Sequence, residues 1–98
     1  MNREEIIARL REHEPVLRAW GVAHAALFGS RARGDQGPHS DTDILVELDP
    51  SARITVFAYT GLKAEIAALF EGPVDVLNRD GLKARLQPSA AADAIYAF

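Results

Sequence analysis

At 98 residues, 48% apolar and 26% charged, the chain can build one core and has no room for a second, substrate-holding lobe. No apolar run nears the roughly 18 residues of a membrane span, the charged start MNREEIIARLREHE argues against a secretory signal, and the lack of cysteine excludes disulfides, thiolate metal sites and a cysteine nucleophile. A net charge of −3 argues against a broad nucleic-acid surface, so an anionic ligand must be met locally, at the basic cluster Arg31-Ala32-Arg33-Gly34.

In chain order, Asn2 with Glu5 reads as a helix N-cap and its capping-box partner, and Ile6, Ile7 and Leu10 give the helix at 3–12 one apolar face. Pro15 suits the first turn of a second short helix at 15–19, stopped at Gly21. VAHAALF (22–28) is a buried strand ending at Gly29, and a turn of helix follows Gly29-Ser30. After a loop with Gly34, Gly37 and Pro38, TDILVEL (42–48) forms the next strand. Asp49-Pro50 reads as the cap and first position of a long helix to about 70, in which Ile54, Phe57, Ala58, Leu62, Ile66 and Leu69 recur at helical spacing. Gly72-Pro73 ends it, and VDVLN (74–78) is a third strand. Asp80 can cap a short helix, Pro88 can restart another, and the chain closes on AIYAF. The pattern predicts one α/β domain over residues 1–98, with a small mixed sheet of about three strands and helices mainly on one side. A short loop allows antiparallel pairing of the first two strands, and the long helix allows a crossover to the third.

The strand at 42–48 opens with acids where sheets usually avoid them. Alternation puts Asp41 and Asp43 on one face and Thr42, Ile44 and Val46 on the other, while Asp75 faces away from Val74 and Val76. If these two strands are neighbours, three carboxylates share a patch and repel one another unless a cation neutralises them. Mg²⁺ uses such hard oxygens, completed by water and phosphate oxygens. Two such ions about 3.5–4 Å apart can clamp the attacking and leaving oxygens of a displacement at phosphorus. Gly29-Ser30 at a strand end exposes backbone N–H groups and a hydroxyl to phosphate, and Arg31 or Arg33 can add charge-assisted bonds. Singly, each feature has an ordinary reading: a turn, an Asx turn after Ser40, solvated arginines, an edge-strand solubility residue. Their order along the chain is the specific signal. His13, His24 and His39 form no ligand spacing, and Trp20, Phe28, Phe57 and Tyr59 read as core rather than base-stacking residues.

Taken together, GSRARGDQGPHSDTDILVEL resembles the signature of the polymerase β-like nucleotidyltransferase superfamily, closest to its minimal nucleotidyltransferase branch, the antitoxin partners of HEPN toxins. LREHEPVLRAWGVAHAALFGS and EGPVDVLN extend the likeness over nearly the whole chain. The resemblance implies a polymerase β-like fold, Gly29 and Ser30 on the triphosphate with Arg33 beside them, and two Mg²⁺ ions on Asp41, Asp43 and Asp75. The third acid also helps to activate the acceptor hydroxyl. It further implies ATP as substrate, a cytoplasmic enzyme, and AMP transfer to a tyrosine of a cognate HEPN ribonuclease, which silences that toxin. The tail QPSAAADAIYAF departs from the charged tail expected of the family. Tyr96 and Phe98, if exposed, would be aromatic anchors for the partner. The competing reading is a non-catalytic antitoxin that inhibits the toxin by occlusion.

Overall fold

The computed structural model describes residues 2–34, 41–79 and 94–98. Helix α1 (Arg3–Glu12) starts where the Asn2 side chain accepts the Glu5 backbone N–H at 2.8 Å, and it buries Ile6, Ile7 and Leu10. Helix α2 (Glu14–Ala19) carries Pro15 in its first turn, where a missing N–H costs no hydrogen bond. Strand β1 (Val22–Phe28), the single turn α3 (Ser30–Arg33) and strand β2 (Thr42–Leu48) follow. Helix α4 (Val56–Ala67) then leads to strand β3 (Val74–Asn78), and the chain closes with strand β4 (Ile95–Tyr96). The positions of the expected helices at Asp80 and Pro88 lie outside the described residues.

The sheet is mixed, with strand order β3-β2-β1-β4. β1 runs antiparallel to β2 and β4, and β2 runs parallel to β3 with α4 as the crossover between them. One face of the sheet, from Ala25, Leu27, Ile44, Val46 and Val76, packs against Ile6, Leu10, Leu17, Leu62 and Ile66 of the helices. On the opposite face a smaller cluster forms from Ala26, Phe28 and Leu45, with Leu77 and Ala94 against it. Arginines of α1 bind the frame by donating to distant carbonyls: Arg9 to Leu69 O at 2.8 Å and Arg11 to Ala97 O at 2.8 Å. Among the described residues no helix is long and apolar enough to cross a membrane.

Three expectations need correction. Among the described residues the sheet has four strands rather than about three: residues 95 and 96 pair with β1, and Ala97 N–H reaches Ala25 O at 2.8 Å. A two-residue strand is too short to show alternation, so only the free edge of β1 reveals it. The long helix begins at Val56 and not at Pro50. The Asp49 carboxylate instead closes an Asx turn on Ser51, at 2.9 Å to its N–H, which competes with a first helical turn. Asp49 N–H also bonds Gly21 O at 2.8 Å, and Ile54 lies where a Cβ at Gly21 would stand. The helix therefore waits for Thr55, whose hydroxyl accepts Ala58 N–H at 3.0 Å. Finally, Phe57 is 88% exposed and outside the core, because the core face of α4 runs through Leu62 and Ile66.

At the end of the sheet where β2 and β3 terminate, Glu47, Arg79 and Tyr96 form a closed triangle. Tyr96 Oη donates to Glu47 at 2.6 Å, and Arg79 donates to Glu47 at 3.1 Å and to Tyr96 at 2.7 Å. Tyr96 is exposed, with its hydroxyl held in this triangle, while Phe98 is partly buried against the core under the Arg18 guanidinium.

Two outcomes test this frame. Leu62→Ala, at a fully buried position, should cost about 2–5 kcal/mol in urea denaturation. Phe57→Ala should stay within about 0.5 kcal/mol of wild type. Burial opposes ionisation of Glu47, but the bonds from Tyr96 and Arg79 outweigh it and hold its pKa below the ordinary 4.5. A depressed acid stabilises the fold above its unfolded pKa and loses that contribution as pH falls through the folded value. Glu47→Gln should therefore be less stable than wild type at neutral pH, with the gap closing as denaturation is repeated below pH 4.5.

Candidate active site

The site lies at the opposite end of the sheet, where β1 stops and β2 and β3 begin. Gly29 ends β1 with φ 77° and ψ −154°, a backbone conformation that side-chain-bearing residues avoid. From there the chain turns directly into α3, closed by Arg33 N–H on Gly29 O at 3.1 Å and capped by Gly34 at φ 82°. Asp43 stands opposite Phe28 on one side and opposite Asp75 on the other. A Cβ at Gly29 would collide with the Asp43 carboxylate. Glycine is required here both by the turn and by the carboxylate pressed against it.

Asp43 is half-buried, whereas Asp41 and Asp75 are exposed. Burial pushes the Asp43 carboxyl above its usual range, and the negative charges of Asp75 and Asp41 push it further. The guanidinium groups of Arg31 and Arg33 pull the other way without reversing the shift. The three acids thus sit close enough to feel one another, as alternation and a β2–β3 pairing predicted. Asp43 and Asp75 are in direct register, and Thr42, Ile44 and Val46 point to the helix side.

Oxygen donors that crowd one another across two strands suit a divalent cation, because the cation removes the repulsion they carry alone. They do not form a closed shell. Among the described residues no group of three acid or histidine side chains is placed to hold a metal ion, so the expected set of Asp41, Asp43 and Asp75 is not gathered as a metal centre in this structure. The missing Cβ at Gly29 lets the Asp43 carboxylate lie directly against the backbone of the turn.

Sequence reasoning ranked Arg33 above Arg31, yet both act on Asp43. Tyr59, read from sequence as a core residue, does pack against the core, and its hydroxyl is pushed up by burial and then by the charge of Asp75. Only the three-dimensional path of α4 along β3 brings that tyrosine within reach of the acid.

An open mixed sheet with a glycine–serine turn facing paired strand acids is the layout of a nucleotidyl-transfer domain. The family model of the nucleotidyltransferase domain matches residues 4–97, and the chain belongs to that family. Protein adenylyltransferase MntA of Thermococcus cleftensis is 31% identical over 94 residues, spanning 95% of this chain and 93% of its own. A structure solved under the provisional description of a minimal nucleotidyltransferase superposes with TM-score 0.77 at 29% identity, covering 97% of this chain and 95% of that one. A chain of the toxin–antitoxin MntA–HpeT, solved as a point variant, superposes with TM-score 0.63 at 25% identity, covering 98% and 71%.

Because Asp43 ionises against burial and two like charges, Asp43→Asn should raise the melting temperature at neutral pH when no divalent cation is added. Asp41→Asn, at an exposed position, should raise it less. Thermal melts of the three proteins side by side check the order.

Proposed function

We propose that this chain is a Mg²⁺-dependent protein adenylyltransferase that moves AMP from ATP onto a tyrosine hydroxyl of a cognate HEPN toxin and thereby neutralises it in the cytoplasm. The observation that carries the reading is Asp43, pressed against Gly29 and in register with Asp75, with Asp41 adding its charge. Family membership supports the chemistry, the likeness to MntA of Thermococcus cleftensis supports a protein acceptor, and the likeness to a chain of MntA–HpeT supports a toxin partner.

In this reading Gly29, Ser30 and Arg33 hold the triphosphate, and Asp41, Asp43 and Asp75 would hold two Mg²⁺ ions. When bound there, such ions would supply neutralisation of phosphate charge and a lowered pKa for the acceptor hydroxyl. Gly29 lets the α- and β-phosphates approach the backbone, and Ser30 and Arg33 orient them by hydrogen bonds. Asp75, on the exposed edge strand β3, faces the side from which an acceptor arrives and takes part in removing its proton. The acceptor oxygen bonds to the α-phosphorus as the bond to pyrophosphate breaks. Rate then depends on holding the acceptor in line with pyrophosphate, a task for the partner protein.

ATP and Mg²⁺ together should raise the melting temperature more than the sum of either alone, and Asp41→Ala/Asp43→Ala should abolish that excess. Intact-protein mass spectrometry of the toxin after incubation with ATP, Mg²⁺ and this chain should show added adenylyl groups. Asp75→Asn should keep nucleotide binding and lose transfer by orders of magnitude. A toxin left unmodified, yet fully inhibited by Asp41→Ala/Asp43→Ala, would establish inhibition by occlusion instead.

A further inference from the structure

The turn that carries Gly29, Ser30, Arg31 and Arg33 is four residues long, too short to hold its own shape. A single turn fixes several dihedrals for very few hydrogen bonds, and the last carbonyls of any helix lack partners within it. Here the Ala32 methyl is buried in the main core, 4% exposed, which fixes one point of the turn. A second point is fixed from far away in sequence. Arg3, the first residue of α1, donates from Nη1 to Ala32 O at 2.9 Å in a partly buried bond. A cation at the carbonyl end of a helical turn is also favoured by the turn's dipole. Among the bonds that α1 arginines send to distant carbonyls, those of Arg9 and Arg11 end on Leu69 and Ala97, outside the site.

We propose that Arg3 is a positioning residue for nucleotide binding: by holding Ala32 O it sets the orientation of the Gly29–Arg33 turn that receives the phosphates. Its other polar partner is the adjacent Glu4 carboxylate at 3.9 Å, so its link to the site runs through α3. The inference rests on the nucleotide site assigned above and not on the identity of the acceptor.

Arg3→Met keeps the length and apolar stem of the side chain and removes the donor. Arg3→Lys restores a donor without the guanidinium fork. Arg9→Met serves as the control, because it removes the same kind of bond at Leu69 O, away from the turn. Calorimetric titration with ATP in the presence of Mg²⁺ is the readout, with melting temperatures recorded alongside. Arg3→Met should weaken ATP binding about tenfold, the scale of one charge-assisted hydrogen bond lost from the support of the turn, and Arg3→Lys should recover part of it. Arg9→Met should lower the melting temperature and leave ATP affinity at the wild-type value. Equal ATP affinity in wild type and Arg3→Met, or equal weakening by Arg9→Met, would overturn the positioning role and leave the nucleotide site standing. A wild-type chain that binds no ATP would overturn both. If Arg3→Met does not fold, Arg3→Lys with wild-type ATP affinity and a lowered melting temperature would reduce Arg3 to a structural tie.

Discussion

The charge of Asp43 is the constraint around which this molecule is arranged. A half-buried carboxylate, in register with a second acid and near a third, is unfavourable in an isolated protein, and its raised pKa records that. Loss of the β2–β3 register would relax the crowding, whereas a side chain at Gly29 would collide with Asp43 and loss of α3 would take away the two arginines that offset its charge. The fold therefore keeps an unfavourable local arrangement because the rest of the sheet holds it. Strain of this kind gathers where a protein must meet a cation or a developing charge.

The frame that holds it is divided between the faces of the sheet. The helix-covered face supplies packing through Leu10, Leu17, Leu27, Ile44, Val46, Leu62 and Ile66, none more than 1% exposed. The opposite face carries polar function at both ends, with Asp41, Asp43 and Asp75 at one and Glu47, Arg79 and Tyr96 at the other. Apolar residues Ala26, Phe28 and Leu45 separate the two groups. The strand period of two sorts them: in β2, alternate residues from Thr42 face the helices and those from Asp43 face away.

Most of this was legible in sequence because it depends on local rules. The Asn2 cap, the Pro15 first turn, the alternation in TDILVEL and the glycine at a strand end each declare themselves within a few residues. The length of the connection between β2 and β3 allowed a crossover and favoured a mixed sheet, but left the strand directions open. What escaped depended on distant partners. Residues 95 and 96 form a strand only because β1 offers an unpaired edge, and Asp49 fails as a helix cap because its segment docks on Gly21. Phe57 matched the helical period but falls on the outer side of α4, a distinction that spacing alone blurs when most of the helix is apolar. At the site, the paired acids and the glycine were visible, while the bond from Arg3 to Ala32 spans 29 residues and leaves no local trace.

The sheet order carries a consequence for how the chain acquires its shape. β1 lies between β2 and β4, so the strand at the middle of the core is made early and receives its last neighbour from residues 95 and 96. During vectorial synthesis β1 and β2 can zip into a hairpin soon after residue 48 appears. β3 must wait for the whole of α4, and the far edge of β1 waits for residues 95 and 96 to emerge. Such an edge is a template for wrong pairing with other nascent chains. The acids of β2 and β3 meet only when the crossover closes, so the capacity to bind a charged ligand arises late, after the hydrophobic hairpin that will carry it already exists.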